Sequence, residues 1–424
     1  MSHTQEFGQG PEGMLGPHRA LDLTDERGYL CGKILGDLGA DVIKIERPGG
    51  DLGRNLGPFY KDIPDPEKSL FWFAFNGNKR GITLNLETTQ GREIFKRLVA
   101  DADFVIESFA PGYMDRLGLG YSELSRINPK IIMTSITPFG QSGPYRDYKS
   151  CDLVDSALGG ILYSNGETDR PPVRTSFPQT FHIAAAEGAV GTLMAFLYRE
   201  ETGEGQQVET QGQRATVGTS YDIVPWWYGN KEIRKRRGSL RIQPQSGIKA
   251  NQMWQCKDGY MSFFSFGGRL GLSSNRAMVK WMDSEGYADD FIRQIDWEKL
   301  DWSTVTQDYV DQLQAPIARF ILAHTKAELL EGAVERGVQI YPLAAAEDML
   351  NSRQLEAREY WTEVEHPELG TSITYPGAFI KSSETPISIR YRAPTIGEHN
   401  AEIYREELGF SDKDLVILKQ GNVI

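Results

Sequence analysis

Short apolar runs alternate with amphipathic stretches between residues 19 and 150, and this alternation constrains the fold more than any other feature. The runs predicted as strands are Ala20–Leu23, Asp41–Glu46, Gly81–Leu86, Phe104–Glu107 and Ile131–Ser135. The stretches with helical spacing of apolar residues are Tyr29–Leu38, which stops at Gly39, and Gln90–Ala100. Alternation of this kind predicts an α/β fold, with a parallel sheet and helices on its faces.

The chain beyond residue 150 carries fewer periodic signals. Residues 181–200 form a helical stretch that is apolar on nearly all sides, which predicts a buried helix. Near residue 225 the composition of the chain changes from apolar to basic. The basic run Lys231–Arg237 is predicted to be part of a solvated linker, and the alternative is that it contacts phosphates. Met253–Phe264 predicts a hairpin that turns at Asp258-Gly259. Gly337–Leu343 predicts a further strand, and the last predicted helix lies near residues 399–408.

Composition excludes several classes of protein. A chain of 424 residues is long enough to bury a large hydrophobic core and to form more than one structural unit. Its formal charge of −12 argues against a general nucleic-acid binder. Cys31, Cys151 and Cys256 are far apart, which favours reduced thiols in a cytoplasm and gives no metal-ligand spacing. We expect no membrane segment, because no stretch approaches the roughly 20 apolar residues of a span and the N-terminus lacks the apolar core of a signal peptide.

A series of motifs stands in a fixed order along the chain. They are LDLTDERGYLCGKILGDLGADVIKIERPGGD, NGNKRGITLNLET, ADFVIESFAPGYMDRLGLGY, INPKIIMTSITPFGQSGPY, CDLVDSALGG and RAPTIGEHN. Between the last two, Pro171–Val208 combines a Pro-Pro pair, the small-residue helix and a T-G-E-G-Q turn. In order and spacing these motifs resemble the family III CoA-transferases of the CaiB/BaiF type, and the resemblance spans almost the whole chain.

The resemblance implies an open, Rossmann-like large domain and a smaller α+β domain. The corresponding boundaries are residues 1–225 for the large CoA-binding domain, 226–244 for a linker, 245–345 for the small domain, and 346–424 for a segment that returns to the large domain. Family members form dimers whose protomers interlock like links of a chain. The resemblance therefore implies an interlocked dimer at least.

Phe181 stands where the family has its nucleophilic Asp. Counting forward from Pro172, and backward from Thr202–Gln206, reaches this position without a gap. In the family reaction the carboxylate attacks the donor thioester and then carries CoA to the acceptor acid. A phenyl ring has no lone pair for such an attack, so we expect no catalytic nucleophile in this chain.

The resemblance also implies a set of CoA contacts. A CoA site needs Arg or Lys donors for the phosphates and an apolar bed for the adenine ring. Coenzyme A thioesters would be substrates, and no permanently bound cofactor or metal is expected. The implied CoA-binding residues are Arg47, Leu84, Ser108, Phe109, Arg116, Lys149 and Asp152. The chain departs from the family by having Glu87 where some members have Lys, and Ser108 where Asn is common.

The implied function is that of a non-nucleophilic subunit of a heteromeric CoA-transferase. Its partner would be an Asp-bearing paralogue in an interlocked heterodimer or heterotetramer. The complex would move CoA from succinyl-CoA to an aromatic dicarboxylic acid such as (R)-benzylsuccinate, as in anaerobic toluene degradation. The isolated chain would be inactive. Two interpretations are open for the aromatic residues of this region, which are either the lining of a phenyl pocket or part of the core. They are Phe177, Phe181, Trp226 and Trp227.

Two alternatives stay open. The first is a self-sufficient transferase or isomerase that uses another carboxylate, either Asp152 or Glu187. The second is a non-enzymatic CoA-binding scaffold or regulatory protein. A racemase of the related α-methylacyl-CoA type is disfavoured, because Cys151 stands at its His position and Phe181 at its Asp position. His182 is predicted to be a buried, hydrogen-bonded structural residue.

Overall fold

The structure, a computed structural model, describes residues 13–219, 223–243, 246–265 and 268–424. The chain divides into two compact units. The first unit comprises the described residues up to Leu162, Arg174–Glu232 and Gln354–Ile424, and the second comprises Tyr163–Val173 and Ile233–Arg353. The first five residues of the predicted linker, 226–230, are helical. The domain boundaries stay a prediction.

A six-stranded parallel sheet forms the centre of the first unit, in the order β3-β2-β1-β4-β5-β6. The strands are β1 (Arg19–Leu23), β2 (Asp41–Glu46), β3 (Lys79–Thr83), β4 (Phe104–Glu107), β5 (Ile132–Thr137) and β6 (Gln207–Gln211). The predicted α/β class is confirmed. The third strand begins two residues before its predicted start and ends at Thr83, because Lys79 and Arg80 are buried inside the sheet by their ion pairs with Asp22 and Asp41.

The remaining strands form three small antiparallel sheets. They are β7 (Leu240–Ile242) with β8 (Lys249–Asn251), β9 (Met253–Cys256) with β10 (Gly259–Phe263) and β11 (Ile340–Pro342), and β12 (Trp361–His366) with β13 (Thr371–Pro376). The predicted hairpin over Met253–Phe264 is confirmed, since Cys256 pairs with Gly259 across the turn. In the second unit this sheet packs against helices around Trp254, Met261, Trp281 and Phe320.

The α-helices of the described residues are numbered in chain order. They are α1 (Tyr29–Asp37), α2 (Leu70–Asn76), α3 (Thr89–Ala100), α4 (Tyr113–Arg116), α5 (Tyr121–Ile127), α6 (Asp152–Leu158), α7 (Ile161–Ser164), α8 (Thr180–Thr202), α9 (Gly212–Thr219), α10 (Ile223–Asn230), α11 (Gly268–Ser284), α12 (Asp290–Arg293), α13 (Gln307–Leu322), α14 (Lys326–Arg336), α15 (Ala346–Leu350), α16 (Arg353–Ala357) and α17 (Asp412–Gln420). Short 3-10 helices cover Leu52–Asn55 and Tyr60–Asp62, and a π-helix covers Glu402–Glu407.

The two faces of the parallel sheet carry separate cores. On one face, α1 and α8 pack over Cys31, Leu35, Ala185 and Ala189. On the other face, α3 and α5 pack together with the C-terminal residues Tyr404 and Leu418. The helix predicted near residues 399–408 is present as the π-helix Glu402–Glu407, but it is not the last helix, because α17 follows it and places Leu418 in this core.

The prediction that the small-residue helix is buried was only half right. The helix α8 covers one face of the sheet and buries Ala184, Ala185, Gly188, Ala189 and Ala195. Its opposite side leaves apolar side chains exposed, including Met194 and Leu197. Small residues allow close packing on the sheet, but nothing in the described part of the chain covers the other side.

Candidate active site

A cleft of about 530 Å³ opens at the carboxyl ends of β1 to β4. Loops that follow these strands provide its walls, which is the edge where parallel α/β sheets bind ligands. Its lining residues are Leu23, Asp25, Glu26, Ile45, Glu46, Arg47, Asp51, Leu52, Leu56, Leu84, Asn85, Leu86, Glu87, Phe109 and Tyr113. Three of the predicted CoA contacts, Arg47, Leu84 and Phe109, therefore lie together.

The floor of the cleft is apolar. Leu84 is 2% exposed, and the ring of Phe109 lies 4.6 Å from that of Tyr113 at an interplanar angle of 33°. Ser108 is buried beside this floor, and its hydroxyl accepts a hydrogen bond from the backbone N–H of Asp25 and donates one to the Asp25 carboxylate, both at 2.8 Å. Ser108 therefore fixes the loop after β1.

The charged residues of the cleft are mostly paired within the protein. Glu46 accepts two hydrogen bonds from Arg54, at 2.6 and 2.7 Å, and Asp25 pairs with Arg27. Arg47 is exposed, and its Nε donates to the carbonyl of Gly50 at 3.2 Å. The lining contains five carboxylates and a single cation, Arg47. The cleft thus combines an apolar floor with an acidic rim.

Two of these carboxylates, Glu26 and Glu87, make no ion pair among the described residues. Burial and the neighbouring Asp25 raise the pKa of Glu26. Glu87 is exposed and accepts a hydrogen bond from the Tyr113 hydroxyl at 2.5 Å. An anionic ligand in the cleft would therefore meet the unpaired carboxylates of Glu26 and Glu87.

The other predicted contacts lie outside the cleft lining. Arg116 is exposed on α4, with its guanidinium 5.4 Å from the centre of the Tyr113 ring, so it stands at the rim. Lys149 is exposed in the segment before α6. Asp152 begins α6 and is buried away from solvent. The structure thus groups Arg116 with the cleft but does not bring Lys149 or Asp152 into its lining.

Glu107, which sequence reasoning missed, ends β4 next to the cleft. It is 4% exposed, and its carboxylate accepts a hydrogen bond from the backbone N–H of Phe109 at 2.8 Å. Burial raises the pKa of Glu107 to about 7, although hydrogen bonds from Ser135 and from the Phe109 backbone act in the opposite direction. Tyr113, Glu26 and Asp51 were missed as well, although their positions after strand ends were a usable signal.

Phe181 lies in the first turn of α8 and is half-buried. The residue before it, Thr180, is fully buried and donates two hydrogen bonds to Oδ1 of Asp152, from its backbone N–H at 3.0 Å and from its hydroxyl at 2.8 Å. Asp152 therefore satisfies a free N–H at the start of α8 and interacts favourably with the positive end of the helix. Its observed contacts are those of a helix cap.

Neither of the other nearby carboxylates is presented as a free nucleophile. Glu187 pairs with Arg214 at 3.1 Å. Asp155 is fully buried, accepts a hydrogen bond from the Ser150 hydroxyl, and has its pKa raised by burial to about 6. Oδ2 of Asp152 and Oδ2 of Asp155 have no hydrogen-bond partner in the described part of the chain.

His182 stacks on two aromatic rings, which together with it form a cluster of three. Its ring centre lies 4.6 Å from that of Phe75 and 5.2 Å from that of Phe177, at interplanar angles of 14° and 15°. Burial lowers the pKa of His182, although the charge of Asp152 acts in the opposite direction. The predicted hydrogen bond is absent at Nε2, which has no partner among the described residues. Stacking therefore takes the place of the expected hydrogen bond.

The aromatic residues considered for a phenyl pocket fall into two groups. Phe177 forms an aromatic cluster with Phe71, Phe75 and His182 at the start of α8. Trp226 and Trp227 belong to α10. Phe177 and Trp227 are 42% and 48% exposed, so the core interpretation was wrong for both. No cluster of three or more His, Cys, Asp or Glu side chains suited to a metal ion occurs within the described ranges.

Comparisons with known proteins give relatives for this arrangement. The sequence matches the profile of CoA-transferase family III over residues 21–400. It is 35% identical over 397 residues to succinyl-CoA:(R)-benzylsuccinate CoA-transferase subunit BbsE of Thauera aromatica, covering 92% of this chain and 93% of that protein. It is 32% identical over 403 residues to the succinyl-CoA–L-malate CoA-transferase beta subunit of Chloroflexus aurantiacus, covering 93% and 94%. A CaiB/BaiF family protein from Brucella suis superposes with a TM-score of 0.79 at 26% identity, over 93% of this chain and 99% of that one.

Proposed function

Because the chain belongs to CoA-transferase family III, we propose that it is the non-nucleophilic subunit of a heteromeric CoA-transferase. The observation that carries the proposal is Phe181 in the first turn of α8, where the family reaction needs a carboxylate. The two relatives named above are both described as subunits, which supports the existence of a partner chain.

The chemistry requires the partner to perform the covalent steps. A carboxylate oxygen attacks the carbonyl carbon of the acyl-CoA and expels the CoA thiolate, which gives a mixed anhydride. The thiolate then attacks the carboxyl carbon of the enzyme residue, releases the donor acid and leaves an enzyme thioester. The acceptor carboxylate attacks the carbonyl carbon of this enzyme thioester and expels the CoA thiolate, which gives a second mixed anhydride. The thiolate then attacks the acyl carbon of the acceptor, which forms the product thioester and releases the enzyme carboxylate. The first step needs an enzyme oxygen with a lone pair and the later steps need the acyl carbon of the same carboxyl group, and the phenyl ring of Phe181 provides neither.

The cleft of this chain would hold the nucleotide part of CoA. Leu84 and Phe109 would contact the adenine ring, and Arg47 at the end of β2 and Arg116 at the rim would contact phosphates. Ser108 would act through the loop that it fixes. Lys149 and Asp152 stay predictions, since neither lines the cleft.

We propose succinyl-CoA as the donor and an aromatic dicarboxylic acid such as (R)-benzylsuccinate as the acceptor. Both relatives carry succinyl-CoA in their names, and both named acceptors, benzylsuccinate and malate, are dicarboxylic acids. An acceptor with a phenyl ring is supported by the aromatic cluster of Phe71, Phe75 and Phe177 at the start of α8, because aromatic rings pack well against one another. Reduced thiols at Cys31, Cys151 and Cys256 support a location in the cytoplasm.

The alternative of a self-sufficient enzyme finds little support in the contacts. Asp152 is held by Thr180, and Glu187 is held by Arg214. A non-enzymatic scaffold differs from the proposed subunit in one measurable way, which is that its complexes have no transferase activity.

The test uses the complex as the cell makes it. The chain, carrying an affinity tag, is purified from its native source with whatever co-purifies, and CoA transfer from succinyl-CoA to benzylsuccinate is measured by liquid chromatography. We expect activity in the complex and none in the chain expressed alone. The control Phe181→Leu removes only part of a ring and keeps a non-nucleophilic residue, so its complex should stay active. Turnover by the isolated chain would refute the divided enzyme, and a complex without turnover would favour the scaffold.

A further inference from the structure

The sequence motif RAPTIGEHN, residues 392–400, has no part in the chemistry proposed above. It belongs to the first unit, as do all residues that line the cleft. Its residues contact β3 and the 3-10 helix that follows β2, and both of these elements adjoin the cleft lining. We refer to residues 392–400 as the C-terminal motif.

The C-terminal motif satisfies the backbone of β3, which lies at one edge of the six-stranded sheet. An edge strand has backbone N–H and C=O groups that no neighbouring strand satisfies. Nδ1 of His399 accepts a hydrogen bond from the N–H of Gly81 at 3.1 Å, and the N–H of His399 donates to the Gly81 carbonyl at 2.9 Å. Asn400 accepts a hydrogen bond from the N–H of Thr83 at 2.9 Å and donates one to its hydroxyl at 2.8 Å. The motif therefore takes the place of a neighbouring strand.

Two glycines allow the C-terminal motif to approach β3 this closely. A Cβ atom at Gly81 would lie 2.8 Å from the ring of Pro394. Gly397 has a φ of +65°, and a Cβ atom there would lie 2.8 Å from the amide nitrogen of Asn400. Both distances are too short for a side chain, so the two glycines are needed for the contact.

The C-terminal motif also anchors the 3-10 helix Leu52–Asn55. The carbonyl of Pro394 accepts hydrogen bonds from the Arg54 guanidinium at 2.9 Å and from the Trp72 indole at 3.0 Å. The guanidinium lies 3.8 Å from the centre of the Trp72 ring and also pairs with Glu46 at the end of β2. Arg54 and Trp72 are 1% and 0% exposed. This buried group therefore holds the segment after β2 in one place.

The two anchored elements provide a large part of the cleft lining. Residues 84–87 follow β3 directly, and all four line the cleft. The lining residues from the segment after β2 are Arg47, Asp51, Leu52 and Leu56. The N–H of Leu84 donates to the carbonyl of Glu46 at 2.7 Å, which joins the two elements at the floor of the cleft. A shift of the C-terminal motif would therefore move residues that face the ligand.

We propose that the C-terminal motif fixes the geometry of the CoA cleft and that His399 and Asn400 are positioning residues for CoA binding, a proposal that rests on the function proposed above. Neither residue belongs to the cleft lining. They act through Gly81 and Thr83 on residues 84–87, which come next in the chain. Loss of either side chain leaves a buried backbone N–H without its acceptor, which favours local opening at the end of β3.

The protonation state of His399 agrees with this role. Nδ1 can accept the hydrogen bond from Gly81 only when this nitrogen carries no proton. Burial lowers the pKa of His399, although the charges of Glu398 and Glu402 act in the opposite direction. The neutral ring, which the contact with β3 needs, therefore prevails at pH 7.

The test measures CoA binding to the full chain by isothermal titration calorimetry. His399→Ala removes the acceptor of the Gly81 N–H, and we expect the dissociation constant for CoA to rise roughly tenfold, the effect of one unsatisfied buried donor. His399→Asn places an amide oxygen close to the position of Nδ1, so its constant should stay within about threefold of wild type. The matched control is Thr192→Val, which removes the buried hydrogen bond of 2.6 Å between α8 and Thr134 of β5. It should lower the melting temperature and leave the constant unchanged.

Hydrogen exchange over residues 81–87 shows whether the C-terminal motif acts on the cleft. We expect faster exchange in the His399→Ala variant and no change in Thr192→Val. Equal CoA affinity of wild type and His399→Ala would overturn the proposal, and so would an equal loss in Thr192→Val, because that result would point to general destabilisation. A wild-type chain that binds no CoA would overturn the proposal together with the CoA cleft, whereas turnover of the complex tests the proposed subunit role separately.

Discussion

Replacement of Asp152 by Ala tests whether this carboxylate is a helix cap or a nucleophile. Its Oδ1 accepts both the backbone N–H and the hydroxyl of Thr180, a residue with no exposed surface. The Ala variant leaves two buried donors without an acceptor. With about 1–2 kcal/mol for the backbone N–H and a smaller cost for the hydroxyl, which can rotate, we expect a loss of about 2–3 kcal/mol in the local stability of the first turn of α8.

The assay is hydrogen exchange resolved to peptides that cover residues 180–185. A loss of that size speeds exchange in the first turn of α8 by roughly 30- to 150-fold. Asp152→Asn keeps an acceptor oxygen and should lose less than about a third of this effect. Asp147→Ala, at a residue whose side chain is 83% exposed in the preceding segment, is the surface control and should change nothing.

Turnover of the complex separates the two roles of Asp152. The Asn variant has no carboxylate, yet we expect its complex to stay within about threefold of wild type, since an effect of this size fits a cap and not a lost nucleophile. Unchanged exchange in the Ala variant, together with a complete loss of turnover in the Asn variant, would show that Asp152 acts as a nucleophile and not as a helix cap.

Two further predictions concern the cleft. Burial raises the pKa of Glu107 to about 7 from a value of 4.5, so between these pH values the folded chain holds a proton that the unfolded chain has lost. The stability that this group contributes is complete below pH 4.5 and is lost as the pH rises through 7. Glu107→Gln should therefore gain about 3 kcal/mol relative to wild type between pH 4.5 and 8 in urea unfolding, and parallel pH profiles would contradict this. Glu87→Lys removes an unpaired negative charge from the rim and adds a positive one, so CoA affinity measured by calorimetry should rise roughly tenfold at low salt and less at high salt. Glu93→Lys, at a residue on α3 that is not part of the cleft lining, is the control, and an equal rise in that variant would argue against a local effect.

The sequence predicted the sheet well because hydrophobic periodicity reports directly on buried strands. The segments Asp41–Glu46 and Phe104–Glu107 match the observed β2 and β4 residue for residue. The error at β3 has a physical cause, which is that Lys79 and Arg80 look like solvent-exposed residues until their partners Asp22 and Asp41 are known. Pairing between distant residues is not visible in a local pattern.

The candidate site was predictable to a different extent at each position. Arg47, Leu84 and Phe109 follow strand ends, and the geometry of a parallel sheet brings such residues together. The cap at Thr180 was not predictable, because it joins residues 28 positions apart. The sequence of α8 indicated a helix that is apolar on nearly all sides, but it gave no information on which side packs against the sheet and which side stays exposed.

Trapping of the enzyme intermediate shows whether this chain takes part in covalent bond formation. The complex is mixed with succinyl-CoA, quenched with borohydride or hydroxylamine, and both chains are mapped by peptide mass spectrometry. We expect a modified carboxylate in the partner subunit and none in this chain, because Phe181 has no oxygen to modify. A stoichiometric adduct on Asp152, Asp155 or Glu187 would contradict it.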